Sequence, residues 1–386
     1  MPKYRFSEIA INVTDKRMPV PEDKDLYIAP NNLDTDTLSV PEYGYKVDLN
    51  GTKLIMHKGD MLFGRREPQL KKAAVAPHDG LFSAHGMIFH PREEVITKEF
   101  FPFFISSDYF FDAAIRISVG SLSPTVNWKD LKDLEFDIPD LSAQQEYARV
   151  LWAMIRAKKA YKELVKKTDD LVKSQFIEMF GDPEFGTMDA PVCTLGELIT
   201  IGPQNGLYKA QSYYRTDGSG VPIVRVDSFY EGVVTDYASL KRLICSDTEI
   251  ELYHLENDDL IFNRVNGSVE HVGKCARIQG VLEDTVFESN IMRVRTNPNV
   301  VDIRYLSTYL CSDIIRKQIK KVARVANQAS VNQDNIRGLL VPLPSMERQK
   351  AYAALVDQSD KSKFAALQTL KEITDAQKAL MKRIFE

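Results

Sequence analysis

The chain carries two copies of one segment, separated by a constant step of 205 residues. Residues 126–180 and 331–385 align without a gap, and 13 of the 55 aligned positions are identical, where average composition would give roughly three. The identical pairs include Gln144 with Gln349 and Phe180 with Phe385. This duplication constrains the fold strongly, because the chain must build the same supersecondary unit twice.

Each copy is predicted to be a proline-containing turn followed by a long helix. The sequences DIPDLS and PLPSME begin the turn, and proline disfavours helix at the residue before it, so Ser142 and Ser345 are the predicted N-caps. Apolar residues then recur at steps of three and four until Phe180, where the sequence GDP stops the helix. A helix of ~35–40 residues spans roughly 50–60 Å. Each long helix needs a long partner, so the two are predicted to pair antiparallel about a pseudo-two-fold axis.

The sequence before each long helix predicts a globular domain of class α+β. Short β-like runs such as DLYIAP, TKLIMH, DMLFGRR and GMIFHP alternate with turn residues, and the pattern returns in VPIVRVDSF, DDLIFNRV, GKCARI and NIMRVRT. Residues 98–116 and 303–323 are predicted to be helical. The match of GDMLFGR to DDLIFNR indicates that the globular domains are copies as well. The predicted segments are domain 1–140, helix 141–184, domain 185–344 and helix 345–386.

Composition places the chain among ordinary globular proteins of the cytoplasm. Apolar residues make up 44 % of the chain and charged residues 27 %, and the net charge is −4. The start lacks the apolar region of a signal peptide, and no stretch approaches the ~18 apolar residues of a membrane span. The four cysteines are far apart, which makes zinc improbable and suits a reducing compartment. The net charge does not indicate a nucleic-acid-binding protein, although local clusters of charged residues determine the electrostatic field over a groove.

Catalytic motifs are missing from the sequence. It contains no GxxxxGK[ST], GxGxxG, [DN]PP[YF] or HExxH pattern. Its histidines are dispersed, and His85 and His90 are predicted to have structural or surface roles. We therefore predict no catalytic residue, no metal site and no cofactor site in this chain.

Basic and amide side chains gather instead in loops at corresponding places of the two globular domains. Arginine and lysine suit phosphates and guanine edges, and asparagine and glutamine suit adenine edges. As a set these residues favour a nucleic-acid-binding face, although solvated loops remain an alternative, as they do for the basic run RKQIKKVAR at 316–324. The candidates are Arg65, Arg66, Gln69, Lys71 and Lys72 in the first domain and Gln204, Asn205, Tyr208, Lys209, Asn263, Arg264, Asn266 and Lys274 in the second.

The chain resembles the specificity (S) subunit of type I restriction–modification enzymes. The motifs that carry the resemblance are NQASVNQDNIRGLLVPLPSMERQ, with its earlier counterpart, and LVKSQFIEMFGDP at the end of the first helix. GDMLFGRREPQLKKAAVAPHDGLFSA in the first domain and GVPIVRVDSF with DDLIFNRVNGS in the second are also typical of the family. Together these motifs follow the family order along nearly the whole chain.

The resemblance implies a non-catalytic DNA-recognition subunit. Each globular domain would be a target recognition domain that reads one half of a split site in double-stranded DNA, and the helices would be the conserved spacer. The helices would also dock methyltransferase subunits, which carry S-adenosylmethionine, and a further restriction and translocase subunit would use ATP. Half-sites one helical turn apart would need ~34–36 Å between reading surfaces.

Other readings remain open at this level. A coiled-coil scaffold whose globular domains bind proteins or glycans is one alternative, and a small nuclease with its own carboxylate–metal site is another. The specificity subunit of a methylation-only or related defence system is a third. The sequence does not separate the third from a restriction system, because the subunits that differ are other chains.

Overall fold

A computed structural model of the chain describes residues 1–45, 49–183, 185–229, 232–234, 237, 239–325 and 328–385. The chain divides into two compact units: unit 1 contains residues 1–166 and 364–386, and unit 2 contains residues 167–363. Residue 327, the first of the motif NQASVNQDNIRGLLVPLPSMERQ, and residue 184 at the predicted domain limit lie outside the described residues. The four-segment division predicted from the sequence stays a prediction.

Unit 1 is built from short strands and helices around one aromatic core. The strands are β1 Lys3–Arg5, β2 Ala10–Val13, β3 Lys16–Arg17, β4 Lys53–Met56, β5 Met61–Gly64, β6 Ala73–Val75, β7 Gly80–Phe82, β8 Gly86–Pro91 and β9 Glu135–Asp137. The helices are α1 Phe6–Ile9, α2 Phe101–Ser106, α3 Asp108–Arg116, α4 Trp128–Leu131 and the long α5 Leu141–Phe180, which continues into unit 2.

The sheets of unit 1 follow the predicted runs with one exception. The main sheet has the strand order β2-β8-β5-β6, and β3-β4-β7 and β1-β9 form two smaller sheets. The strand predicted for the run DLYIAP at 25–30 is wrong. A 3-10 turn at Pro21–Asp25 leads into this run, and within the run Ile28 makes one isolated bridge to Phe82. Pro30 opens the next 3-10 turn and has no backbone N–H to continue a ladder.

Unit 2 repeats this plan with larger sheets. Its strands are β10 Val192–Thr194, β11 Ile199–Asn205, β12 Tyr214–Arg215, β13 Val221–Val224, β14 Gly232–Val234, β15 Arg242–Leu243, β16 Leu260–Asn263, β17 Val265–Asn266, β18 Cys275–Ile278, β19 Val286–Phe287, β20 Ile291–Thr296, β21 Arg324–Val325, β22 Ala329–Ser330 and β23 Leu340–Pro342. Its helices are α6 Leu195–Leu198, α7 Asp247–Tyr253, α8 Ile303–Leu310, α9 Asp313–Val322, α10 Gln333–Arg337 and the long α11 Met346–Phe385, which continues into unit 1.

The strand orders show that the globular domains are copies. The main sheet of unit 2 has the order β11-β20-β16-β18-β14, and its first four strands occupy the places of β2-β8-β5-β6. The pair β10-β23 corresponds to β1-β9. The starts of α3 and α9, of α4 and α10, and of β9 and β23 are each 205 residues apart. The predicted mixture of sheets and helices is confirmed, and the duplication extends well beyond the aligned segment.

The ends of the long helices follow local chemistry. Helix α5 begins at Leu141, one residue before the predicted cap Ser142, because Asp140 Oδ1 accepts a hydrogen bond from Ala143 N at 2.9 Å. The predicted stop is confirmed, since α5 ends at Phe180 and Gly181 follows with φ +89°. A side chain at Gly181 would also approach the Thr187 carbonyl at 2.6 Å, so glycine is required there.

Buried glutamines tie the start of each long helix to its globular domain. Gln144 Nε2 donates to the carbonyls of Val95 at 2.9 Å and Pro139 at 2.8 Å, and its Oε1 accepts from Thr97 N at 2.7 Å. Gln349 makes the corresponding bonds in unit 2, to Pro344 O and from Asp302 N, both at 2.8 Å. Each amide thus satisfies backbone groups that would otherwise be buried without partners.

Within unit 2 the two long helices run antiparallel. Lys363 of α11 pairs with Asp169 of α5 at 2.6 Å, whereas Tyr352, nearer the start of α11, packs on Phe180 at the end of α5. The Tyr352 hydroxyl donates to the Val172 carbonyl at 3.2 Å. Higher residue numbers on α11 therefore correspond to lower residue numbers on α5, as in an antiparallel pair. The buried aromatic contacts fix the register.

Aromatic residues at the ends of the long helices enter the cores in a reciprocal way. In unit 1 the ring of Phe385, from the end of α11, lies 5.8 Å from that of Phe100. In unit 2 the ring of Phe180, from the end of α5, lies 4.8 Å from that of Tyr305. Phe100 and Tyr305 are 205 residues apart, as are Phe180 and Phe385. Each core is therefore completed by the end of the long helix that starts in the other unit.

Candidate nucleic-acid interface

The candidate residues of the first domain lie around the end of β5. Gly64 N donates to the Lys72 carbonyl at 2.8 Å, and Val126 N donates to the Arg65 carbonyl at 2.9 Å. Arg66 and Val119 each form an isolated antiparallel bridge to Thr125. The backbone thereby assembles a row of five residues, here called the first edge: Arg65, Arg66, Lys72, Val119 and Thr125.

The second domain repeats the same backbone contacts at the end of β16. Asn263 N donates to the Lys274 carbonyl at 2.9 Å, and Val331 N donates to the Arg264 carbonyl at 3.0 Å. Strand β22 pairs with β17 and with β21, so that Ser330 faces both. The corresponding row, here called the second edge, is Arg264, Val265, Lys274, Arg324 and Ser330.

The side chains of the first group are partly committed to partners within the protein. Arg65 Nη2 donates to Asn127 Oδ1 at 2.8 Å, and Lys71 pairs with Asp108 of α3. Lys72 Nζ contacts the Leu33 carbonyl at 3.4 Å. Arg66 and Gln69 are exposed.

A turn between β19 and β20 brings the two loops of the second group together. Ser289 N donates to the Leu207 carbonyl at 3.0 Å, and Arg264 N donates to the Asn290 carbonyl at 2.7 Å. The loop that follows β11 and the loop that follows β16 therefore lie on either side of Ser289 and Asn290. The sequence predicted the two loops separately; the sheet makes them neighbours.

In the first of these loops, Tyr208 is the most open candidate, with 80 % of its surface exposed. Lys209 Nζ pairs with Glu249 at 2.7 Å and lies 4.4 Å from the Tyr213 ring centre. Gln204 Nε2 donates to the Leu252 carbonyl at 3.1 Å. A DNA contact by Lys209 would therefore require it to exchange a carboxylate for a phosphate.

The other loop contains both buried and accessible groups. Asn263 is only 4 % exposed. Its Oδ1, like that of Asn205 at the end of β11, is buried without a hydrogen-bond partner in the described part of the chain. Arg264 Nη1 donates to the Ser289 carbonyl at 3.2 Å, and Asn266 Oδ1 accepts from Ser268 N at 3.1 Å. Base contact by the thirteen candidates stays a prediction.

A cleft of about 540 Å³ lies beside the first edge, and some of its lining residues were not predicted from the sequence. Arg66 and Lys72 belong to its lining, together with Lys53 and His85, which were not candidates. Burial lowers the pKa of His85, and the positive charges of Arg66, Arg65 and Lys53 lower it further. His90, by contrast, pairs with Asp60 at 2.6 Å. No sequence spacing would have separated these two histidines.

The described residues contain neither a metal-binding cluster nor a membrane-spanning helix. Among them there is no group of three or more His, Cys, Asp or Glu side chains placed to hold a metal ion. No helix in the same ranges is long and apolar enough to cross a membrane.

Comparison with solved structures defines the class of fold. The S subunit of a type I restriction–modification system from M. genitalium superposes with a TM-score of 0.60, covering 100 % of this chain and 96 % of that chain at 14 % identity. At this identity the match establishes the fold alone.

Sequence comparison then identifies the family that the chain resembles. Residues 189–375 match the type I restriction modification DNA specificity domain. The putative type I restriction enzyme MjaX specificity subunit of Methanocaldococcus jannaschii is 30 % identical over 54 % of this chain and 48 % of its own length. The EcoKI specificity subunit of Escherichia coli is 23 % identical over 73 % of this chain and 62 % of its own. The resemblance predicted from the motifs is confirmed, although the matches span about half to three-fifths of these relatives.

Proposed function

We propose that this chain is the DNA-specificity subunit of a type I restriction–modification system. The observation that carries the proposal is the duplicated edge. Arg65 and Arg264 accept the same backbone hydrogen bond, from Val126 and Val331, at the ends of corresponding strands. Two copies of one scaffold that present different side chains at one place suit two different half-sites in double-stranded DNA.

The long helices would act as the spacer between the two recognition domains. Each helix runs for 40 residues, which at 1.5 Å per residue is about 60 Å. An antiparallel pair of such helices is stiff enough to hold two half-sites at a fixed separation. This arrangement, with target recognition domains on a coiled-coil spacer and a pseudo-two-fold relation, is part of the proposal.

The chemistry would belong to partner subunits. Methyltransferase subunits docked on the helices would bind S-adenosylmethionine, and a restriction and translocase subunit would use ATP. The present chain would contribute recognition and geometry without a catalytic group of its own. The methylated sequence would then be set by this chain and the reaction by its partners.

Long-read detection of methylated adenines tests the proposal. The chain is co-expressed with the methyltransferase encoded beside it, and a split motif with an unread gap is expected. A matched variant replaces the side chains of the second edge, Arg264 and Lys274, by alanine, and should relax one half of the motif only. Because base contacts typically contribute ~1–3 kcal/mol each, methylation at the intact motif should fall by about tenfold or more. Assembly with the methyltransferase but without new methylation would refute the proposal.

A further inference from the structure

The cleft beside the first edge lies entirely within unit 1 and is lined by both cationic and aromatic groups. Tyr27 and Tyr45 form part of its wall, with their rings 6.0 Å apart. Lys53, Arg66 and Lys72 bring three positive charges to it. A concave site with convergent cations attracts an anion more strongly than the same charges on a flat surface, because its low-dielectric walls focus the field.

The lysines of the cleft contact backbone carbonyls. In the part of the chain that the structure describes, Lys53, Arg66 and Lys72 form no ion pair with a carboxylate. Lys53 Nζ donates to the Gly51 carbonyl at 3.0 Å, and Lys72 Nζ reaches only a carbonyl. Glu67 is the carboxylate in the lining. The balance of charge in the cleft therefore favours an anion with more than one acceptor oxygen.

His85 stands at the same cleft as these cations. The charged groups that act on its ring are Arg66, Arg65 and Lys53, and Lys72 and Glu67 share the lining with it. Burial and the three cations lower the pKa of His85 below its ordinary value of about 6.5, so the imidazole is neutral at pH 7 in the free protein. An anion placed among these groups would reverse the sign of the local field.

The second domain lacks these features at the corresponding positions. Gly86 pairs with Gly64 as Ile291 pairs with Asn263, so the residue that corresponds to His85 is Asn290. The bridge from Arg66 to Thr125 corresponds to the pairing of Val265 with Ser330. The second domain therefore has neither the histidine nor the exposed arginine, although Lys274 matches Lys72.

We infer that the cleft of the first domain binds a phosphate of the DNA backbone and that His85 takes up a proton when it does so. The second domain has no such proton-linked site. The inference rests on the proposed function, and it assigns to one half of the molecule a dependence on pH that the other half lacks. The phosphate accepts hydrogen bonds from Arg66 and the protonated His85, and Lys53 and Lys72 contribute charge.

The sign of the pH dependence follows from the two states of His85. The free protein binds this proton weakly, and the phosphate complex binds it more tightly, so complex formation takes up a proton. Affinity for DNA then rises as the pH falls from about 7.5 towards 5.5, by up to about tenfold for each pH unit in which uptake is complete. The effect disappears where His85 is protonated in both states.

The test measures DNA affinity against pH with the chain assembled with its methyltransferase subunits. His85→Asn gives the first domain the residue of the second, and His57→Asn removes a histidine that does not line the cleft. The wild type and His57→Asn should bind a duplex bearing the methylated motif severalfold more tightly at pH 5.5 than at 7.5, whereas His85→Asn should lose that gain. Thermal unfolding of each variant shows that the folds are intact.

A second arm identifies the anion. Neutral methylphosphonate linkages are placed one at a time along the half-site of the first domain, and at one position the difference in pH dependence between wild type and His85→Asn should vanish. Equal pH slopes in the wild type and His85→Asn would overturn the inference, as would a difference that survives every neutral linkage. Discrimination between the motif and a scrambled duplex at pH 7.5 reports separately on the proposed function.

Discussion

One buried position is filled by an ion pair in unit 2 and by apolar side chains in unit 1. Arg277 on β18 is 2 % exposed, and its Nη2 donates to Asp360 Oδ2 on α11 at 2.7 Å. Strand pairing makes Val75 on β6 the counterpart of Arg277, and the 205-residue step makes Ile155 on α5 the counterpart of Asp360. Ile155 belongs to the aromatic core of unit 1, and the partly buried Val75 packs against that core.

The difference shows that the duplicated backbone does not determine how the sheet is joined to the long helix. Burial raises the pKa of Asp360 even though the charge of Arg277 opposes it, so the carboxylate is held in an unfavourable setting. A buried ion pair often adds little stability compared with apolar residues of similar size, but its geometry is directional. In unit 2 the sheet is therefore joined to the long helix by a directional ion pair, whereas unit 1 has non-directional apolar side chains at the corresponding positions.

Arg277→Ala should give the largest effect. The substitution removes the arginine that pairs with Asp360, a carboxylate that is 25 % exposed, and the free energy of unfolding should fall by about 2–4 kcal/mol. Urea denaturation of the chain measures the loss, and hydrogen exchange should place it in residues 167–363. Val75→Ala, the matched change in unit 1, should lower the free energy of unfolding by only about 1–2 kcal/mol.

The double variant Arg277→Val, Asp360→Ile transplants the residues of unit 1 into unit 2. Its free energy of unfolding should equal that of the wild type within about 1 kcal/mol or exceed it, because no buried charge is left unpaired. Asp258, which also lies 3.6 Å from Arg277, is exposed to solvent. A double variant as unstable as Arg277→Ala would show that the comparison is wrong and that the site needs the ion pair.

The buried glutamines should respond nearly alike, because two of their hydrogen bonds are the same in both units, and Gln144 adds a third to the Val95 carbonyl. Gln144→Met and Gln349→Met keep the side-chain volume but remove the two shared hydrogen bonds. One is to the carbonyl of the proline in the turn, and the other is from the backbone N–H of Thr97 or Asp302. Each should lower the free energy of unfolding by about 1–3 kcal/mol through the orphaned backbone groups. Denaturation midpoints of the two variants provide the comparison, and a loss in one unit only would argue against an equivalent role.

The helix caps should show the smallest contrast. The Asp140 side chain accepts a hydrogen bond from Ala143 N through Oδ1, whereas Ser345 accepts one from Gln349 N through its backbone carbonyl, at 3.1 Å. Asp140→Ala should lower the free energy of unfolding by about 1 kcal/mol, and Ser345→Ala by less. Thermal unfolding of the two single variants tests the order, which should reverse if Ser345 is the stronger cap.

The repeat made the candidate edges predictable only in part. Arg65, Arg264 and their neighbours could be found because the segments GDMLFGR and DDLIFNR match along the chain. Ser289 could not be found, because it joins the two loops of the second domain through hydrogen bonds to residues far away in sequence. His85 was assigned a structural or surface role because its isolated position gave no indication of the cations around it.

By itself the sequence determined the duplication, the two long helices, the stop of the first helix after Phe180 and the pairing of β-rich domains with helices, because these follow from local periodicity and from turn residues. Tertiary structure decided which side chains are buried beside a charge and which groups share a cleft. Arg277 and Asp360 are 83 residues apart, and His85 and Lys53 are 32 apart. Only tertiary folding brings such pairs close enough for burial and Coulomb interactions to act.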